Sequence, residues 1–497
     1  MNYRSTRNSS LNVSSAHAIV KGLSDEGGLF VPESIPALTK EEILSLGDKK
    51  YSDRAYDVFS KYLTDFTPEE LRHCVESAYN SKNFDSDNIA EITGLKQGRY
   101  ILELWHGPTC AFKDMALQIL PYLLTTSAKK EVKGKQIAIL VATSGDTGKA
   151  ALEGFKDVDG TSICVFYPED GVSPMQKRQM TTQDGKNVNV CAVKGNFDDC
   201  QNGVKAIFTD KDTEKKLSDN NILLSSANSI NWGRLAPQIV YYVSSYAQLV
   251  KDGQIEYGEK VNIVVPTGNF GNILAAYYAK LMGIPVNKLI CASNSNNVLT
   301  DFINTGVYDR NRKFYTTVSP SMDILISSNL ERLLYHFTGE NDSLINEWFT
   351  SLKNSGRYEV DENVKKQLSE QFYAGFCSDD ETKSQIRKTF EEEHYLLDTH
   401  TAVAVKVYAD YRAKTGDETK TIIASTANPY KFGRAVFDAV NGGEQPEDEF
   451  ELIARLEKAT DTKIPAPLAA TKDKAVRFTG CVEKQEMTGA VLDFLKS

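Results

Sequence analysis

Seven short runs of almost unbroken apolar residues, "IAILVAT", "SICVFYP", "VNVCAV", "ILLSSA", "VNIVVP", "KLICAS" and "TIIAST", alternate with longer helical patterns from Ile137 onward. A strand with one wet face alternates polar and apolar residues, whereas these runs are apolar on both sides. Both faces of their sheet must be covered, and strand–helix–strand alternation does this with parallel strands. The rhythm predicts an α/β fold of parallel-rich sheets covered by helices. Residues 1 to about 98 lack it. There "TKEEILSL" and "TPEELRHCVESAYN" each open on a threonine in N-cap position with a glutamate behind it, which predicts a separate helical region. From about 340 to 415 the pattern is helical again and predicts an insertion or a cap on the sheet.

A chain of 497 residues exceeds what one core can organise, so several domains are expected. With 67 acidic against 57 basic residues the formal charge is −10, which disfavours nucleic acid and anionic membrane as partners. A phosphate-bearing ligand must then be held locally. The eight cysteines are scattered and form no C-x-x-C pair, so neither a metal site nor a disulfide scaffold is expected. The opening "MNYRSTRNSS" leads into no apolar segment, and no run approaches a membrane span, leaving a cytoplasmic location as the default expectation.

Four loops carry the candidate chemistry. After "VNIVVP" come Gly268, Asn269, Phe270, Gly271 and Asn272 and then a helix, so backbone N–H groups and the positive helix end converge as an anion seat. The spacing matches neither the dinucleotide fingerprint nor the P-loop, and a plain tight turn is an equal reading. After "IAILVA" come Ser144, Asp146 and Thr147, a seat for a small carboxylate or phosphate or an ordinary helix cap. Asn228, Ser229 and Arg234 in "SSANSINWGR" put neutral donors and one guanidinium beside a helix start, where a solvated arginine is the plainer reading. Ser425 and Thr426 end the last strand, where open α/β sheets bind ligands and where turn-formers also occur.

The remaining feature is Lys113 in "HGPTCAFKDM". Either its amine snorkels to water from a first helical turn, or it works as a nucleophile. The second role requires its pKa to fall by roughly three units, about 4 kcal/mol, which an apolar wall and a helix N-terminus supply in part. A neutral amine beside two phosphate seats fits pyridoxal 5′-phosphate.

Taken together these loops resemble a known family, threonine synthase, among the fold type II pyridoxal-phosphate enzymes that include tryptophan synthase β and serine dehydratase. The resemblance runs through "YRSTR", "GLSDEGGLFVPESIP", "HGPTCAFKD", "TSGDTG", "NSINW", "PTGNFGN", "PSMDILISSNLERL", "DTHTAVA" and "STANPYKF". It implies the following roles. Lys113 tethers the cofactor aldehyde, and the loop from Gly268 to Asn272 cradles its phosphate. Asp146 stands by its 3′-oxygen, and Thr426, with Ser425 as competitor, faces the pyridine nitrogen. Ser144 and Thr147 receive the substrate carboxylate; Asn228, Ser229 and Arg234 hold the substrate phosphate. His106 and His400 are expected to be hydrogen-bonded structural histidines. Asn8 and Asn428 depart from the family pattern, which has Gly and His there.

The implied reaction turns O-phospho-L-homoserine and water into L-threonine and phosphate. A serine or threonine dehydratase, or a non-catalytic relative acting as a binding protein, is the alternative. The implied domains are a helical region at 1–98, a large cofactor-binding α/β domain at 99–135 and 250–497, and a small α/β domain at 136–249. The oligomeric state is left open, with a monomer among the options.

Overall fold

The computed structural model describes residues 1–143, 145–170 and 172–496. Ser144 lies outside the described residues. The chain starts with a small antiparallel sheet of β1 (Tyr3–Ser5), β2 (Asn8–Val13) and β3 (Phe30–Pro32), in the order β2-β1-β3. Helices Lys40–Leu46 and Pro68–Ala78 follow, and both begin as the sequence predicts. Thr39 accepts from the Glu42 amide while the Glu42 carboxylate accepts from the Thr39 amide, and Thr67 and Glu70 do the same. Each box satisfies N–H groups that a helix start would otherwise leave bare.

All seven apolar runs are strands in two sheets. The larger sheet contains β4 (Glu91–Leu95), β5 (Arg99–Glu103), β10 (Val261–Pro266), β11 (Val286–Ser293), β14 (Phe372–Phe376) and β15 (Thr421–Ser425). Its order is β14-β11-β10-β15-β5-β4, parallel except for β4 against β5. The smaller sheet contains β6 (Gln136–Ala142), β7 (Thr161–Pro168), β8 (Val188–Val193), β9 (Ile222–Ser225) and β16 (Cys481–Val482), in the order β16-β8-β7-β6-β9, all parallel. A separate antiparallel ribbon joins β12 (Val307–Asp309) to β13 (Arg357–Glu359).

The structure differs from the sequence expectation in three places. The segment 340–415 is mostly helical, but "FYAGF" inside it is β14, the edge of the larger sheet. One side of an edge strand is open, so its mixed pattern is overshadowed by the helices flanking it. β4 lies inside residues 1–98 yet belongs to the larger sheet. At the other end, β16 crosses to the smaller sheet, and the helix Met487–Lys496 packs there with Met487 and Val491 against Cys164, Phe166 and Cys200. The pairing of distant segments, which local pattern does not encode, draws these boundaries.

Candidate active site

The carboxyl ends of β6, β10 and β15 bring the candidate loops together. Lys113 precedes the short helix Asp114–Leu117, and its stretch is stitched to the end of β15 by the Phe112 N–H donating to the Thr426 carbonyl (2.8 Å). Only 12% of the Lys113 side chain is exposed. Its Nζ lies 4.8 Å from the Phe112 ring centroid and 4.0 Å from Asp146 Oδ2. Burial lowers its pKa to about 8; Asp146 opposes this, and Arg234 and Lys431 add to it. At pH 7 about one amine in ten is then neutral, against about one in three thousand for an ordinary lysine. The Lys113 side chain is thus desolvated and does not snorkel to water.

Asp146 opens the helix Asp146–Phe155 and is buried. Its Oδ1 meets Lys431 Nζ at 3.0 Å and accepts from Gln176 Nε2 at 3.1 Å; its Oδ2 accepts from Ser321 Oγ at 3.5 Å. Burial alone would raise this carboxyl, but Lys431 and Lys113 hold it well below the usual carboxylate range. Next to it, Thr147 is half-buried and its hydroxyl has no hydrogen-bond partner among the described residues.

The loop after β10 is the candidate anion seat. Phe270 has φ +62°, a left-handed conformation that costs a non-glycine residue about 1–2 kcal/mol, and it caps the helix Gly271–Leu281 without any side-chain hydrogen bond. Unlike the helices that start at Thr39 and Thr67, this one keeps its first-turn N–H groups free of a side-chain cap. A Cβ on Gly268 would stand 2.8 Å from the Ser321 carbonyl oxygen, so only glycine lets the two backbones approach. The Gly268 carbonyl accepts from Ser327 Oγ, and the Asn269 carbonyl accepts from the N–H and Nδ2 of Asn329. Asn272 takes hydrogen bonds from Tyr241 and Tyr242 on Oδ1, while its Nδ2 is buried without a partner.

Arg234 is buried on the helix Trp232–Lys251. Its Nη1 donates to the Ala227 carbonyl (2.7 Å), its Nε has no partner, and no carboxylate among the described residues forms an ion pair with it. Burial lowers its pKa to about 10, so it stays a cation at neutral pH. A buried guanidinium without an acid is costly unless an anion arrives. Of its companions, Ser229 is half-buried and its carbonyl accepts from Asn329 Nδ2 (3.4 Å), whereas the Asn228 side chain is exposed and turned to local bonds.

At the end of β15 the two hydroxyls separate. Ser425 Oγ accepts from Trp105 Nε1 (3.0 Å) and lies 3.1 Å from Thr401 Oγ1, whose own proton goes to the Asp398 carboxylate. Thr426 is also buried, and its hydroxyl has no hydrogen-bond partner among the described residues. The two histidines are hydrogen-bonded. His106 stands between Asp85 and Glu103 and stacks on Trp105; His400 contacts Asp398 and accepts from the Ser321 N–H. Asn428 caps the turn Pro429–Phe432 by accepting from the Tyr430 N–H, and Asn8 accepts from the N–H and hydroxyl of Ser10 at the start of β2.

Sequence reasoning missed Lys431, Gln176, Ser321, Asn329 and Arg332. Lys431 stands between two aromatics a few residues past a buried strand, a local signal comparable to the Phe112 that precedes Lys113. Arg332 had no local signal. It is fully buried, and it donates to the carbonyls of Phe30 and Ile230 and to Asn329 Oδ1, tying three distant segments around the cradle.

Family models agree with this geometry: "Threonine synthase N terminus" matches residues 2–79, "Pyridoxal-phosphate dependent enzyme" residues 79–345, and "Threonine synthase, C-terminal" residues 401–486. The threonine synthase of Saccharomyces cerevisiae is 40% identical over 468 residues, covering 88% of this chain and 89% of that protein. The chain belongs to the threonine synthase family. The solved pyridoxal-phosphate-bound threonine synthase of Brucella melitensis superposes with a TM-score of 0.89 at 35% identity, covering 100% of both chains. "Threonine synthase-like 1" of Homo sapiens is 43% identical over 436 residues, but these cover 86% of this chain and 58% of that protein. The fold is thus that of the fold type II enzymes, and the cofactor of this threonine synthase family member is pyridoxal phosphate. The residues present fit it: a partly neutral buried amine, a glycine loop at an uncapped helix start, and buried donors without partners.

One consequence can be checked directly. Gly268→Ala forces a Cβ against the Ser321 backbone, an overpacking cost of about 1–3 kcal/mol. The expected result is pyridoxal phosphate affinity about 5- to 150-fold weaker, read by titrating the visible absorption of the loaded protein, with far-ultraviolet circular dichroism unchanged.

Proposed function

We propose that this chain converts O-phospho-L-homoserine and water into L-threonine and phosphate. The observation that carries this reading is Arg234, a buried cation whose Nε has no partner and which pairs with no acid among the described residues. A dehydratase has no need of a second phosphate site, and a binding protein has no need of a lysine desolvated to a pKa of about 8. When bound, the cofactor withdraws electrons from the substrate's Cα and Cβ as their protons leave.

Lys113 Nζ tethers the cofactor and, once displaced by the substrate amine, takes the Cα proton. A second proton leaves Cβ, phosphate leaves Cγ with its bonding electrons, the hydroxyl of water adds at Cβ, and Cα and Cγ each regain a proton. Each positioned proton transfer contributes about 10²–10⁴ in rate. Arg234 with Ser229 and Asn228 holds the leaving phosphate, and the hydroxyl of Thr147 beside a helix start, without a partner among the described residues, suits the substrate carboxylate, with Ser144 as its neighbour in sequence. The cradle from Gly268 to Asn272 holds the cofactor phosphate, and Asp146 stands at the 3′-oxygen. Thr426 is favoured over Ser425 at the pyridine nitrogen, because the Ser425 hydroxyl is already engaged: Thr401 gives its own proton to Asp398, which leaves Ser425 to donate to Thr401. A neutral hydroxyl there leaves the nitrogen unprotonated, which suits elimination and replacement better than amino transfer.

The eight cysteines are unpaired and seven are buried, which supports a reducing compartment such as the cytoplasm. The test supplies the loaded protein with O-phospho-L-homoserine and follows both products. Phosphate and threonine in equal amounts are expected; a 2-oxo acid from serine or threonine, without phosphate release, would favour the dehydratase.

A further inference from the structure

Asp146 carries one negative charge and faces two lysines. Lys431 Nζ, with its side chain 0% exposed, sits 3.0 Å from Oδ1; Lys113 Nζ sits 4.0 Å from Oδ2. One carboxylate compensates one ammonium, and the geometry says which. Lys431 is further held by the Thr109 carbonyl at 2.7 Å and by Gln179 Oε1 at 3.5 Å. These partners come from both halves of the site: Lys431 and Thr109 flank the larger sheet, while Asp146 and Gln179 lie on helices of the smaller one. No element of the reaction above uses Lys431, and a buried ion pair is weak evidence for a stabilising role, since an apolar side chain of similar size commonly serves as well.

We propose that Lys431 is a positioning residue: it occupies the Asp146 carboxylate from across the domain junction, and its charge keeps the Lys113 amine in the neutral form needed to bind the cofactor aldehyde. Without Lys431, Asp146 is free to close on Lys113 as an ordinary ion pair, and a protonated amine does not condense with an aldehyde. The charged groups facing Lys113 are Asp146 and Asp114, which favour its charged form, and Arg234 and Lys431, which oppose it. The Asp114 carboxyl is raised to about 6 by burial, against hydrogen bonds from Thr109 and the Lys431 charge, so in the parent it is mostly ionised at neutral pH. Gln176 and Ser321 are the remaining groups on Asp146, and both are uncharged. This inference rests on Lys113 being the tether, yet it can be tested without substrate or turnover.

The experiment is competitive labelling of the cofactor-free, full-length protein with trace acetic anhydride between pH 6 and 10.5, with acetylation of Lys113 quantified by peptide mapping. The parent is expected to show a midpoint near 8. Lys431→Met is expected to raise that midpoint by about one pH unit, the low end of shifts caused by a neighbouring charge. Lys431→Arg, which keeps the charge, is expected to hold it within a few tenths, and Asp146→Asn to lower it. Equal midpoints in the parent and Lys431→Met overturn the proposal, whatever the protein does with phosphohomoserine. Should Lys431→Met not fold, Asp146→Asn decides: a midpoint that does not fall shows the carboxylate is not coupled to Lys113. A turnover failure with these shifts intact would instead reject the proposed reaction.

Discussion

Lys113→Ala protein given pyridoxal phosphate and O-phospho-L-homoserine is expected to release phosphate at least about 10⁴-fold more slowly than the parent chain. The substitution removes a tether and a base together, and proton transfer alone accounts for about 10²–10⁴. The fold should survive, since the change deletes a desolvated amine and leaves Asp146 its tighter partner, Lys431 at 3.0 Å. A thermal melt close to the parent's checks this. Borohydride reduction followed by peptide mapping gives the second readout. The parent should carry the reduced cofactor on Lys113 and the variant should carry none. A label on Lys431 or Lys149, the other buried lysines near Asp146 in sequence or space, would show that the wrong amine has been assigned.

Arg234→Ala is expected to raise the KM for O-phospho-L-homoserine by about 30- to 1000-fold while leaving pyridoxal phosphate affinity within about threefold. A hydrogen-bonded contact from a buried guanidinium to a dianion contributes about 2–4 kcal/mol, because neither partner has water to fall back on. The helix should tolerate alanine, since the lost bond to the Ala227 carbonyl is the only one its side chain makes among the described residues. Steady-state kinetics against substrate concentration separate the two phosphate sites. An unaltered KM would reject Arg234 as the substrate anchor; a collapse of cofactor binding with KM unchanged would move it to the cofactor phosphate.

Much of this site is legible in linear order because its parts sit where short-range rules operate. The turn after β10 needs glycine at 268 for close backbone approach, and the two threonine caps act across three residues. Lys113 stands out because a lysine between a phenylalanine and an aspartate, just before an apolar helical run, is locally anomalous. The Ser425 and Thr426 choice could not be made from the strand alone, since both hydroxyls follow the same apolar run. What separates them is Trp105 and Thr401, which arrive from other elements and occupy Ser425. Asn228 matches its motif but is exposed, which no motif reports.

Patterning by itself determined the parallel, doubly covered sheets and the helix starts, and it singled out Lys113 as a candidate amine. Each follows from burial, capping or desolvation acting within a few residues. Only the tertiary structure decided which charges meet. Lys431 reaches Asp146 from 285 positions further along the chain, Arg332 draws Phe30, Ile230 and Asn329 together, and β16 joins the smaller sheet from the far end of the chain. Coulomb forces and hydrogen bonds depend on distance through space, and no local pattern of residues encodes that distance.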